Sequence, residues 1–277
     1  MFHQIIVPLD GSEAAAVAIG PAAAMAQRLA APIHILALCG SESERAALEA
    51  TILEQVGSTG DIVRVIDVAP VERSVAEDIT RLAARHAPSL VVMSTHGRGR
   101  SAGVLGSVAN DILAATDQPV MLVGPTLIPG RFRTHGQALV AVTGDGDREV
   151  LDLTVSLLAE TDFEPVVAHV VAPAAARQLD AAHLGPTGSD FPMDSVVAER
   201  AAHELEQSTD RSAIDFDVYH DKQPAKTITE QAIARRASLV VMATHARHGL
   251  DRLSHGSVTA DVAREAPCPV LVVGLTE

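Results

Sequence analysis

SLVVMSTHGRGRSAGVLGS, residues 89–107, changes character halfway along its length. Leu90 to Met93 is an apolar run rich in β-branched residues, the composition of a strand buried on both faces. Ser94, Thr95, Gly97, Gly99, Gly103 and Gly106 then supply small and polar residues, and Gly106-Ser107 opens a helical pattern that runs from Val108 to Ala115. A strand, a glycine-rich loop and a helix N-terminus in succession form the physical recipe for an anion site. The loop offers backbone N–H groups, and the helix end adds unpaired N–H groups at the positive end of its dipole. Glycines let the backbone approach a phosphate closely. Arg98 and Arg100 place two positive charges in this loop of an otherwise acidic chain.

Working outward, apolar runs alternate with helical patterns. Ile5 to Leu9 reads as a strand that ends at Asp10-Gly11-Ser12. Glu13 to Leu29 reads as a helix that Pro21 bends or divides. Ile33 to Leu38, Asp61 to Val68 and Pro119 to Gly124 read as further strands, with helices over Ser41 to Val56 and Val71 to His86. In the last of these, Val75, Ile79 and Leu82 share one face. Such alternation predicts an α/β fold, a mostly parallel sheet covered by helices on both faces.

The pattern then repeats. SLVVMSTH at 89–96 returns as SLVVMATH at 238–245, LGSVANDI at 105–112 as HGSVTADV at 255–262, and QPVMLVG at 118–124 as CPVLVVG at 268–274. A weaker match joins Ile5–Gly11 to Leu139–Gly144. The chain is therefore a tandem duplication of one α/β unit. The expected division is 1–127 and 136–277, with 128–135 as a linker inside a turn-rich join from Pro125 to Gln137. The second copy carries an insert around Ala174–Asp194, followed by a helix over Ser195 to Gln207. The last strand of each copy is expected to be an edge, and the two copies to meet through these edges about a pseudo-two-fold axis.

With 277 residues and 47% hydrophobic content, the chain can bury one large core or two ordinary ones. A formal charge of −14 argues against nucleic acid or an anionic membrane as partner. No apolar run reaches transmembrane length, and the N-terminus does not read as a signal peptide. Cys39 and Cys268, far apart in sequence, read as buried structural thiols, and a cytoplasmic location is expected.

The opening Pro8-Leu9-Asp10-Gly11-Ser12 and the series VVMSTHGRGR, GSVANDIL, PVMLVG together resemble the universal stress protein family, in its tandem two-domain bacterial type. The resemblance implies two tandem Rossmann-like domains, of the adenine nucleotide α-hydrolase-like kind. Each would hold a five-stranded parallel sheet in strand order three-two-one-four-five. It also implies ATP as ligand, with Mg as a companion of the phosphates, and adenosine at the carboxyl edge between strands one and four. The switch-point rule puts a ligand at the same place. The site residues it implies in the first copy are Pro8, Asp10, Leu38, Met93, Ser94, Gly97, Arg98, Gly106, Ser107 and Val108. Gly97, Gly106 and Ser107 would give backbone amides to phosphates. A weaker second site would use Ala246, Arg247, Gly256 and Ser257.

The family's nucleotide loop is glycine, two residues, glycine, nine residues, glycine, then Ser or Thr, and neither copy matches it fully. In the first copy Ser94 stands at the first glycine, and eight residues separate Gly97 from Gly106. In the second, Ala243 and Ala246 replace both leading glycines, although the spacer is the expected nine and Gly256-Ser257 is intact. Thr143 stands where the first copy has Asp10.

Read from the residues alone, Asp10 is first a side-chain cap for the helix that follows it. Arg98 and Arg100 are equally solvated loop arginines. His245, His248, His255 and Asp251 share a loop but complete no recognisable metal set. Neither a Gly-x-Ser-x-Gly elbow nor a Walker lysine motif occurs, and no base is set against an attacking water, so the chain reads as a binding protein before an enzyme. The family resemblance implies a nucleotide-binding stress-response regulator with a further homodimer and an unidentified protein partner, and the repeat implies an intramolecular pseudo-dimer of domains. The alternative is a stress protein that binds no nucleotide and works through protein contacts.

Overall fold

Both halves of the chain deliver their strands to one sheet. In the computed structural model, which describes residues 2–57, 63–97, 105–128, 130–144, 147–172, 193–244 and 258–274, the first half runs β1 (Gln4–Leu9), α1 (Glu13–Ala16), α2 (Ile19–Leu29), β2 (Ile33–Cys39), α3 (Glu42–Val56), β3 (Val63–Pro70), α4 (Val75–Arg85), β4 (Ser89–Ser94), α5 (Ser107–Ala115) and β5 (Val120–Val123). The second half runs β6 (His135–Val142), α6 (Asp147–Glu160), β7 (Asp162–Val171), α7 (Met193–Ser208), β8 (Asp215–His220), α8 (Pro224–Ala234), β9 (Leu239–Thr244), α9 (Val258–Glu265) and β10 (Val270–Gly274). Strand order is β3-β2-β1-β4-β5-β10-β9-β6-β7-β8. Each half therefore has the order three-two-one-four-five. Pairing within each half is parallel, while β5 and β10 meet antiparallel, with Val120 opposite Val272 and Leu122 opposite Val270. The antiparallel seam turns the carboxyl ends of the two sets of strands toward opposite edges of the sheet.

The apolar runs form strands because helices cover both of their faces. Every residue of β4 and β5 is buried. Successive side chains enter opposite layers: Ile5, Val7 and Leu9 pack beneath α1, α2 and α3, whereas Ile6, Leu36 and Val91 pack with α4 and α5. The layers continue across the seam, with α6 and α7 joining the first and α8 and α9 the second. The hydroxyl of Ser89, at the buried start of β4, donates to the Ala83 carbonyl at 2.9 Å, and its amide donates to Gln118 Oε1 at 2.9 Å.

Three boundaries depart from the sequence reading. The first helix breaks at Val17–Ala18, four residues before Pro21 rather than at it. The proline ring crowds the carbonyl of residue 17 and brings no N–H to bond it. The helix expected from Val71 begins at Val75, because Ser74 Oγ accepts the Glu77 amide at 3.2 Å and Asp78 accepts the amide of Glu72 at 2.9 Å. These bonds hold the preceding residues in a turn. The join between copies is less of a free linker than its composition suggests. Leu127 and Phe132 are buried in the first layer, and β6 begins at His135. The insert at 173–192 lies outside the described residues.

Cys39 and Cys268 are both buried free thiols. Burial pushes the Cys268 thiol up to about 12, so it stays protonated near neutral pH.

His34 on β2 is 8% exposed, and its ring lies 6.0 Å from that of His86, just past α4. Burial pushes its pKa below the usual histidine value; the Asp67 carboxylate opposes the shift and His86 adds to it. A lowered folded-state pKa favours the neutral ring. The associated stability is complete above the unfolded value near 6.5 and is lost as pH falls through the lower folded value. The melting temperature of a His34→Leu variant is therefore expected to fall less steeply than that of the wild type as pH drops below 6.5 in a thermal scan series. Parallel curves would remove His34 from the acid response.

Candidate nucleotide site

The carboxyl ends of β1 and β4 part at the point where strand order reverses, the usual place for a ligand in an open α/β sheet. A cavity of about 250 Å³ lies there. Its wall includes Pro8, Asp10, Leu38, Met93, Ser94, Gly97, Gly106, Ser107 and Val108, nine of the ten first-copy positions named from the sequence. The tenth, Arg98, lies outside the described residues, as do Arg100 and the second-copy positions Ala246, Arg247, Gly256 and Ser257.

Asp10 takes the capping role that the residues alone suggest. Its Oδ1 accepts the Ser12 amide at 2.9 Å and the Ser12 hydroxyl at 2.6 Å, and Ser12 Oγ accepts the Ala15 amide at 3.1 Å. The pair thus caps α1 while Asp10 stands at the cavity wall. Gly11 between them takes φ 80°, which an L side chain rarely adopts. Opposite, a Cβ at Gly97 would lie 2.8 Å from Asp10 Oδ2, so the carboxylate and the loop backbone approach as closely as only glycine allows.

Ser94, in the place of the family's first glycine, bends the chain out of β4 by accepting the His96 amide on its hydroxyl at 3.2 Å. Gly106 differs from expectation. Its amide donates to the Thr95 carbonyl at 2.9 Å, so that N–H belongs to the loop and not to a phosphate. Gly106, the N-cap residue of α5, brings no side chain to cap the helix. The amides of Ser107, Val108 and Ala109, which have no acceptor within an α-helix, are those an anion would meet.

The sequence reading missed the part of the wall built by Val75 and Ile79 of α4 and Leu36 of β2. The shared face of Val75 and Ile79 was visible, but only the fold shows that it closes over β1 and β4. Thr95 and His96 line the cavity as well, with Thr95 Oγ1 2.7 Å from His96 Nδ1. Among the described lining residues Asp10 supplies the one carboxylate; the rest of the wall is largely apolar.

The matching turn of the second copy is built differently. Gly144 has φ 95°, like Gly11. Thr143 brings no carboxylate; instead Asp147, 8% exposed at the start of α6, reaches back. Its Oδ1 accepts the Thr143 amide and its Oδ2 the Gly144 amide, each at 2.7 Å. A carboxylate of the chain itself thus sits on the amides at this rim.

The model of the universal stress protein family matches residues 1–124 and again 136–274, so the chain belongs to that family. A universal stress protein of Methanocaldococcus jannaschii is 48% identical over 50 residues, 18% of this chain and 29% of that protein. One from Thermus aquaticus is 43% identical over 51 residues, 18% of this chain and 37% of that one. The aligned stretches thus span about a third of these relatives' own length. Among solved structures, a Pseudomonas aeruginosa protein of unknown function superposes with a TM-score of 0.68 at 16% identity, over 99% of this chain and 93% of that one. A universal stress protein from Archaeoglobus fulgidus gives 0.66 at 16% identity, over 99% and 97%. These likenesses extend the fold to the whole tandem chain. Among the described residues no group of three or more His, Cys, Asp and Glu could hold a metal, and no helix is long and apolar enough to cross a membrane.

Proposed function

We propose that the chain is an adenine-nucleotide-binding stress-response regulator whose main site is the first-copy cavity. The observation that carries this reading is the convergence of Asp10, Gly97 and the amino end of α5 on one cavity at the switch point of the sheet. The apolar wall of Leu38, Met93 and Val108 suits a base and ribose, Asp10 can accept from a ribose hydroxyl, and the first amides of α5 face the position of a phosphate. At about 250 Å³ the cavity suits the nucleoside end, with the phosphates toward the amino end of α5. The ligand we assign is ATP. Any Mg would ride on the phosphates, because the described wall offers only the Asp10 carboxylate, whose Oδ1 already accepts two hydrogen bonds. The second copy takes nucleotide weakly or not at all, consistent with Asp147 seated on the turn amides. Regulation follows if the nucleotide binds two conformations of a partner-facing surface with different affinities.

Calorimetric titration with ATP and Mg tests this. One site per chain is expected, weakened about tenfold or more in Asp10→Ala by loss of a hydrogen bond to a charged acceptor. No heat of binding, and no rise in melting temperature at millimolar ATP, would favour a protein that acts through protein contacts alone.

A further inference from the structure

In both halves a side chain from the helix after the second strand reaches the carbonyl of the glycine after the first strand. In the first half Gln55 Nε2 of α3 donates to the Gly11 carbonyl at 3.1 Å and to the Ser12 carbonyl at 3.4 Å. In the second half Arg200 of α7 reaches the Gly144 carbonyl at 3.5 Å. Gly11 and Gly144 hold the same place in their repeats, with φ 80° and 95°. The donors differ in chemistry, an amide against a guanidinium. They also differ in position, since Gln55 is next to last in α3 and Arg200 lies mid-way along α7. What the copies share is the bond itself.

In the first half that bond falls on the two residues that fix Asp10. Gly11 follows it directly, and Ser12 binds its Oδ1 through both amide and hydroxyl. Gln55 does not line the cavity. We propose that Gln55 is a positioning residue for the nucleotide cavity: by holding the Gly11 and Ser12 carbonyls it keeps the Asp10 carboxylate turned toward the ligand and against Gly97. This rests on the reading of the cavity as an adenine-nucleotide site. The required chemistry is a donor long enough to reach the turn. Leucine at 55 removes it, whereas arginine imports the donor the second half already uses.

The test compares Gln55→Leu and Gln55→Arg with wild type in the full chain. Amide hydrogen exchange is read first, without ligand, at Ser12 and Ala15, whose amides are bound by the Asp10 and Ser12 side chains. Calorimetry with ATP and Mg follows. Gln55→Leu is expected to speed exchange at both amides and to weaken ATP about five- to tenfold, the loss of one or two ordinary hydrogen bonds. Gln55→Arg is expected to stay within about twofold of wild type in both. Exchange and affinity both unchanged in Gln55→Leu would overturn the role of Gln55 and leave the cavity reading intact, and so would equal losses in the two variants. A wild-type chain that takes up no ATP would overturn the cavity reading, whatever the exchange rates.

Discussion

Replacing Gly97 by alanine is expected to weaken ATP binding by about five- to 150-fold, the range of an overpacked contact of about 1–3 kcal/mol. The added methyl carbon would lie 2.8 Å from Asp10 Oδ2. A clash with the end of a free side chain is relieved by rotation, but Asp10 Oδ1 is tied to the Ser12 amide and hydroxyl. Relief therefore requires the loop after β4 to move away from the cavity or the α1 cap to break. Coupling between the two positions makes the expectation sharper. On an Asp10→Ala background the obstacle is gone, and Gly97→Ala should then cost little beyond what Asp10→Ala has already lost. Calorimetry on the two single variants and the double variant gives the cycle. Strictly additive losses would mean that Asp10 and Gly97 do not meet in solution.

The second large effect concerns the seam. A Cβ at Gly124, just beyond β5, would lie 2.5 Å from the Ala263 carbonyl oxygen of α9. That oxygen is backbone in the other half of the chain, so only separation of the halves at β5 and β10 makes room. Nearby, Thr126 Oγ1 donates to the Ala266 carbonyl across the same junction. Gly124→Ala is expected to destabilise the chain by about 1–3 kcal/mol in urea denaturation. Gly20→Ala is the control. A Cβ there meets nothing within 4 Å, and alanine in a helix is neutral or stabilising by up to about 1 kcal/mol. Equal midpoints for Gly124→Ala and wild type would show that the halves are not packed this closely.

Much of this architecture was legible because its cause is one-dimensional. A strand buried on both faces must be apolar throughout, so β4 and β5 stand out, and their near-verbatim return as β9 and β10 reveals the duplication. Glycines and an acidic residue at the ends of those strands mark the rim. What the sequence hid depends on contacts between distant segments. The Gly106 amide looks available until Thr95 folds back to take it. A nearer case is Thr143, which looks like a simple loss of Asp10 although Asp147, four residues on, turns back to fill the turn. Leu127 and Phe132 sit in a turn-rich join whose composition suggests solvent, yet the first layer of the core receives them. Gln55 lies 44 residues from Gly11, and a polar residue near a helix end has no periodic signal to distinguish it. The helix break at Val17 was half visible: the proline that causes it is obvious, but its effect falls four residues upstream.

Native mass spectrometry of the full chain, with Mg and with ATP at a few times the wild-type dissociation constant, is the most direct measurement of whether the first-copy rim holds the nucleotide. At most one ATP per chain is expected, and its occupancy should fall several-fold in Asp10→Ala and stay unchanged when Asp147 is replaced by asparagine. No bound nucleotide, two per chain in the wild type, or undiminished binding in Asp10→Ala would contradict it.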